Sequence, residues 1–442
     1  MFSVIKHPLV TGLRRMFILV SPNETSFEKL EDVPNYVDEA VPYFIALIIM
    51  EWSVLYLRGG NLPRLNDSLS SLSHGLLSLL HSLLFRSTEL AAFMWAYTHF
   101  NIITLPWNNP ITWFTCLLAV DFAYYWVHRF GHEINLFWSG HQAHHSSEDY
   151  NFTTALRQSA FQPFYSWVFY VPLALFLPPS IFLVHNQFNL IYQFWVHTET
   201  IGKLGPLEWI LSTPSHHRVH HGRNPYCIDK NYGGVFIIWD RLFGTFEGEK
   251  DEEKVVYGLV HNINSWEPVY AQLHHFIYVI KTAWNIDGLS NKLSVIFKGP
   301  GWSPGKPRLG CVEDIPQVEP SPVKYDSNIS VWKAIYIWTH FLILLLFWQP
   351  GLSMHKQILS TSYLSMNIAY IVFTLFVFGC MYDKRSYSDE LEMIRSVIFV
   401  VAWQLGATMP VSGTICGLYL ASAVCWVAVV ALNKTAVKNK EK

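Results

Sequence analysis

Apolar and polar stretches alternate along this chain on a scale too long for a soluble core. Val41 to Leu57 is an apolar run closed by Arg58-Gly59-Gly60. Leu69 to Tyr97 is a second run, more broken by polar residues. Ile111 to Val127 is a third, and it leads directly into His128. A membrane-spanning helix takes about 20 mostly apolar residues, so these runs predict helices that cross a bilayer or lie in its interface. Residues 161–196 are apolar and aromatic, but Pro178-Pro179 stands in their middle. Proline lacks an N–H and pushes the residue before it out of the helical region. The stretch therefore predicts two short helices folded as a hairpin, which leaves the membrane on the side it entered. Residues 198–328 are polar and turn-rich, with a Gly/Pro loop from Lys298 to Arg308, and predict a cap on the membrane surface. Four further apolar runs follow near 330–348, 363–381, 393–407 and 412–432.

The expected fold class is all-α, a polytopic membrane helical bundle with a histidine-rich cytosolic cap holding a di-metal centre. The expected divisions are a polar segment over 1–40, N-terminal transmembrane helices over 41–127 and a catalytic region over 128–328 with its hairpin at 161–196. C-terminal transmembrane helices over 329–432 and a basic tail over 433–442 follow. Composition agrees with a membrane class: 51% of the 442 residues are apolar and 14% charged, against about 25% charged in soluble domains. With 31 basic and 33 acidic residues, nothing calls for nucleic acid. The six cysteines form no C-x-x-C pair, which argues against a disulfide framework or a zinc-thiolate site. Arg14 and Arg15 interrupt any apolar core of a cleavable signal.

Candidate chemistry lies between His128 and His221, where eleven of the twenty histidines fall. Eight form three boxes: His128 and His132; His141, His144 and His145; His217, His220 and His221. Side chains at i and i+4 share one helical face, so His128 and His132 can present nitrogens to one point. In the other two boxes the adjacent third histidine can reach a second metal. Eight imidazoles exceed the three or four protein ligands of one zinc and suit two metal ions, although imidazole alone does not choose the metal. For any one histidine the ordinary reading is a core residue with a hydrogen bond, and it holds for His74 and His340. For eight together it is poor, because clustered imidazoles repel when protonated and lose solvation when neutral. A zincin needs Glu directly after its first histidine; here that position is Arg129, and the acid is Glu133, after the second. Glu133 is the candidate catalytic residue, as proton donor or carboxylate support, set against a helix-end salt bridge with an arginine. Asp121, two turns before His128, is a candidate to orient the imidazoles; Asp149, Asp229 and Asp240 are weaker ones, and His216 reads as an outer neighbour.

The three boxes and the hairpin before the last of them resemble the fatty acid hydroxylase / sterol desaturase superfamily of membrane di-iron oxygenases. So does the segment from Asn231 through Trp239 and Asp240 to Phe246. Within it, the wording of Gly140–Asn151, of Thr213–Arg223 and of the 298–310 loop is similar to the branch that cleaves glyceryl ethers with tetrahydrobiopterin. The resemblance implies a di-iron (Fe) centre that uses O2 to hydroxylate the carbon next to the ether oxygen of an alkylglycerol or lyso-ether lipid. The hemiacetal formed collapses to a fatty aldehyde and glycerol. It adds His197, which matches a ligand position in relatives, and an external reductant, since no heme module is present. The Lys438, Lys440 and Lys442 tail resembles a di-lysine retrieval signal and implies an endoplasmic reticulum membrane protein with its site facing the cytosol. A sterol or sphingolipid hydroxylase or desaturase of the same superfamily is the alternative enzyme. A histidine-rich metal transporter is the alternative of another class, but transporters place ligands near the bilayer midplane, and boxes two and three stand in polar sequence.

Overall fold

The computed structural model describes residues 8–85, 88–355, 358–406 and 412–440; the start of the polar N-terminal segment and the last residues of the basic tail lie outside them. Among the described residues the chain is all-helical, with no β-strand and only the isolated bridges Leu211–Phe236 and Gly222–Tyr257. The helices of eight or more residues are α1 (Pro8–Met16), α2 (Tyr36–Leu57), α3 (Leu65–Phe85), α4 (Thr88–Phe100), α5 (Pro110–Glu133), α6 (Pro163–Tyr170) and α7 (Pro179–Trp195). They continue with α8 (Pro214–His221), α9 (Pro268–Asn285), α10 (Leu289–Phe297), α11 (Val331–Ile343), α12 (Thr361–Tyr382), α13 (Ser388–Gln404) and α14 (Gly413–Lys440).

Among the described residues four helical stretches are long and apolar enough to cross a membrane: Leu30–Leu57, Val331–His355, Thr361–Tyr382 and Gly413–Asn433. The runs near 69–97, 111–127 and 393–407 are not among them, and the reasons are visible. α3 buries Ser68, Ser70, Ser71, Ser73 and His74, so its polar face turns into the protein. α13 has 17 residues and buries Glu392 and Arg395. A lone buried charge is costly, so these pair. Arg395 Nε donates to Glu392 Oε2 at 2.7 Å, Nη1 to the Tyr370 hydroxyl at 3.2 Å and Nη2 to His340 Nδ1 at 3.3 Å. With Nδ1 accepting, His340 is left to donate from Nε2 to Ser422 Oγ at 3.1 Å. One polar network thus ties α11, α12, α13 and α14 together.

Pro178 and Pro179 stand at a reversal of the chain. α6 and the 3-10 turn Val171–Leu175 run outward, and α7 starts with Pro179 in its first turn, where the missing N–H is not needed, and runs back. α7 packs on α5 and α2, which brings the ends of α5 and α7 together. The polar stretch 198–328 is not uniformly turn-rich: it contains α9 and α10. The first turn of α9 is capped by Glu267, whose carboxylate accepts from the Val269 and Tyr270 N–H groups at 2.6 Å each. It meets α12 at Gly379, where an added Cβ would lie 2.4 Å from Glu267 Cα.

Backbone cannot move aside as a flexible side chain can. Gly379→Ala therefore lowers stability by on the order of 1–3 kcal/mol, even though alanine favours a helix by about 1 kcal/mol over glycine. Earlier thermal unfolding of the detergent-solubilised variant is the readout; unchanged or later melting would show that α9 is not seated on this glycine.

Candidate metal centre

Box one is the last turn of α5, and box three is α8, which opens with Pro214 and runs to His221. Box two is a tight turn ending in the 3-10 segment His144–Ser146 rather than an α-helix. His197 follows the end of α7. The structure brings all nine histidines into two buried groups. His128, His132, His141, His145 and His220 form one; His144, His197, His217 and His221 form the other. Within each group one ring nitrogen from every residue lies within 4.8 Å of the rest. Neighbours in sequence divide: His144 and His145 enter different groups, as do His220 and His221.

Hydrogen bonds on the far side of the rings fix which nitrogen faces inward. His144 Nδ1 donates to the Arg157 carbonyl at 2.9 Å and His197 Nδ1 to the Gln193 carbonyl at 2.7 Å. A carbonyl can only accept, so both rings carry their proton on Nδ1 and point a lone pair from Nε2. Yet these two Nε2 atoms stand 3.3 Å apart. His128 and His141 repeat the pattern, donating to the Tyr232 carbonyl at 2.9 Å and to Gln162 Oε1 at 3.1 Å, with Nε2 atoms 3.1 Å apart. His220 Nδ1 donates to the Lys230 carbonyl at 2.8 Å, and its Nε2 has no partner. Lone pairs face lone pairs with no proton between them. A cation resolves that repulsion, so the donor set fits a metal in each group. Burial first, then the neighbouring imidazoles, hold His145, His217 and His221 well below the usual histidine range. Burial takes His144 down to about 4, against the opposing Arg157 carbonyl. Neutral imidazole is the form that binds metal.

The carbonyls are held by residues that hold the loops. The segment 229–236 supplies the Lys230 and Tyr232 oxygens, with Asp229 and Asn231 in the left-handed region at φ 58° and 57°. Asp240 accepts from the Tyr232 and Gly233 N–H groups at 2.7 Å each and from Thr245 Oγ1 at 2.7 Å. Asp121 accepts from Val235 N, Phe236 N, Trp239 Nε1 and Asn189 Nδ2 at 2.7–3.0 Å. It hydrogen-bonds to no histidine and acts on His128 through the loop whose Tyr232 carbonyl it anchors. On the other side Arg157 reaches Asp67 Oδ1 at 3.0 Å, Ser71 Oγ at 3.0 Å and Ser146 Oγ at 2.9 Å. This is why α3 buries Ser71 and Asp67.

Glu133 lies outside both groups. Its carboxylate accepts from Arg129 Nε at 2.8 Å and pairs with Arg308 from the Gly/Pro loop. Among the aspartates Asp229 is the one near a box histidine, its Oδ1 3.8 Å from His132 Nδ1. Asp149 pairs with Arg64 and Lys324 instead. His216 stays apart from both groups, against Phe246. Glu51 escaped the sequence reading. It is buried in the first span and accepts from Thr198 Oγ1 at 2.5 Å and Phe152 N at 2.8 Å, beside His197. An acid inside an apolar run is the signal that singled out Asp121, and it applies equally to Glu51. The carbonyl acceptors carry no signal in the sequence at all.

Comparison with known proteins adds an independent finding. Residues 113–245 match the fatty acid hydroxylase family, and residues 333–416 match the alkylglycerol monooxygenase C-terminal domain. The alkylglycerol monooxygenase of Xenopus tropicalis is 52% identical over 389 residues, covering 88% of this chain and 86% of the relative. That of Homo sapiens is 51% identical over 400 residues, covering 90% and 89%. That of Caenorhabditis elegans is 39% identical over 405 residues, covering 87% and 80%. No solved structure matches the chain.

Asp121→Ala strands two buried and two partly buried donors, the buried ones worth roughly 1–3 kcal/mol each when left unsatisfied, and frees the loop that fixes His128. The expected result is destabilisation by several kcal/mol and a lower bound-metal content at equal protein. A variant that melts and binds metal like the parent would show that the loop is held without this carboxylate.

Proposed function

This chain belongs to the alkylglycerol monooxygenase family, and from that membership we propose a di-iron, tetrahydrobiopterin-dependent ether-lipid monooxygenase. The observation that carries the metal part is the pair of histidine groups whose Nε2 lone pairs converge while their Nδ1 protons are held outside. His128, His132, His141, His145 and His220 would hold one iron, and His144, His197, His217 and His221 the other. Bound iron would supply the redox chemistry that activates O2, and the reduced pterin the two electrons that each turnover needs beyond those of the C–H bond.

The chain's own residues do the rest. The Arg157, Gln193, Lys230 and Tyr232 carbonyls keep five-membered rings from turning, so that each group is set before a metal arrives. The division of His144 from His145, and of His220 from His221, fixes the separation of the two groups through single peptide units. Burial of all nine rings keeps bulk water from the site. Glu133, paired with both Arg129 and Arg308, fits carboxylate support of the α5 end better than proton donation. The substrate is an alkylglycerol or lyso-ether lipid drawn from the bilayer. Hydroxylation at the carbon beside the ether oxygen inserts one atom of O2, and the other leaves as water. The resulting hemiacetal expels the glycerol oxygen as an alcohol and leaves a fatty aldehyde.

The catalytic region spans 128–328 with its hairpin at 161–196, between N-terminal helices over 41–127 and C-terminal helices over 329–432. The basic tail supports an endoplasmic reticulum location, with the site on the cytosolic face. The transporter reading has no support from relatives that are monooxygenases over most of their length.

Purified protein should carry about two iron atoms per chain and release fatty aldehyde from an alkylglycerol only with O2 and tetrahydrobiopterin. Zinc loading should abolish turnover. Full activity of an iron-free zinc preparation would overturn the metal assignment, and full activity with a heme-protein reductase and no pterin would overturn the reductant. His145→Ala and His217→Ala should each lower bound iron and cut turnover at least a hundredfold, while His261→Ala, exposed and outside both groups, should leave both unchanged.

A further inference from the structure

α9 and α10 lie in residues 246–332, the part of the chain between the two matched family regions. Their pattern is neither that of a core helix nor that of a span. On α9 the large apolar residues Leu273, Ile277, Ile280 and Trp284 fall at intervals of four, three and four, which is one helical face. All four are exposed, Ile280 at 64% and Trp284 at 81%. On α10 Leu289, Leu293 and Phe297 repeat the spacing and are also exposed. The two helices pack on each other, so the stripes form one apolar surface.

The opposite face is committed to the catalytic boxes. Gln142, inside box two, donates to the Ala271 carbonyl at 2.6 Å. Gln272 accepts from Ser159 Oγ at 3.1 Å and donates to the Gln158 carbonyl at 3.0 Å. Asn135, two residues past Glu133, is bonded three ways: its N–H to the Lys298 carbonyl at 2.8 Å, its Nδ2 to the Val295 carbonyl at 2.8 Å, and its Oδ1 to His275 Nε2 at 2.7 Å.

We propose that α9 and α10 form an amphipathic pair whose outer face is seated in the interfacial layer of the bilayer leaflet beside the histidine groups. This goes beyond the proposed reaction and concerns how the site is held against the membrane. Three observations select a leaflet as the occupant. α9 docks on α12, one of the four spanning stretches, so the apolar surface continues from a membrane-facing element. Lys281, Lys292 and Lys298 stand against the single acid Asp287 over 268–298, the charge balance that suits anionic headgroups. Trp284 at the end of the stripe is the residue type enriched at membrane interfaces. α9 itself is not among the helices apolar enough to span, and a helix with one apolar face lies in the interface instead.

The test uses the full chain in phosphatidylcholine nanodiscs, with the partly exposed Cys311 and Cys425 replaced by serine. An environment-sensitive bimane is placed at Ile280→Cys, at Leu293→Cys, or at Val323→Cys in the polar linker, where Val323 is fully solvated. Lipids carrying a nitroxide on acyl carbon five should quench the first two labels at least threefold more than the third. Equal quenching at all three sites would overturn the proposal. So would labels at 280 and 293 that escape the nitroxide but become protected only when two chains share a disc, because a second copy would then cover the face. The two sites lie on different helices and are read independently of turnover, so the outcome stands apart from the fate of the proposed reaction.

Discussion

The feature on which the rest depends is the outward hydrogen bond made by His128, His141, His144, His197 and His220. A neutral ring has one proton; once a carbonyl takes it, the other nitrogen has only a lone pair to present. At His128, His144, His197 and His220 that carbonyl is a main-chain one, from Tyr232, Arg157, Gln193 and Lys230. Main-chain carbonyls are positioned by loops, and loops by whatever pins them. Asp121, Asp240, Arg157 and Asp67 are therefore as much part of the centre as the rings, although none of them contacts a metal-facing nitrogen. The glycine at 233 belongs to the same construction: a Cβ there would lie 2.3 Å from the Phe236 carbonyl oxygen, and the loop could not fold so tightly under the Asp240 carboxylate.

Much of this was legible from residue spacing. Histidines at i and i+4, and adjacent pairs able to serve two points, locate the groups before any coordinates. Pro178-Pro179 marks the reversal that lets α7 return to the end of α5. What spacing does not reveal is the assignment of rings to groups, because that depends on the turn adopted by box two, which is not a helix. Asp121 stands out as an acid inside an apolar run, but helical periodicity shows which face a residue occupies, not which loop will cover that face. Glu51 passed unnoticed within an apolar run, although the cost of an unpaired carboxylate there argues for a partner.

The misread stretches share one cause. An average over many residues merges two faces that the folded chain separates. α3 appears nearly apolar enough to span, yet Ser68, Ser70, Ser71 and Ser73 are buried and Ser71 bonds to Arg157. α9 lies in a polar stretch, yet its exposed side carries the apolar stripe Leu273, Ile277, Ile280 and Trp284. In both cases a period of 3.6 residues carries the information that the mean removes.

The Glu392–Arg395 network has a consequence for how the protein is made. Alone, α13 would bring a charged pair into hydrocarbon with only part of its hydrogen bonding complete, at a cost that disfavours insertion. The Tyr370 hydroxyl and His340 come from helices synthesised earlier, but Ser422, which takes the far proton of His340, comes from α14, made last. The charged pair of α13 thus finds its direct partners on α11, α12 and its own helix, and α14 closes the network through the far nitrogen of His340. The four C-terminal helices form one hydrogen-bonded unit, and a chain cut before α14 would leave Nε2 of His340 without its Ser422 partner.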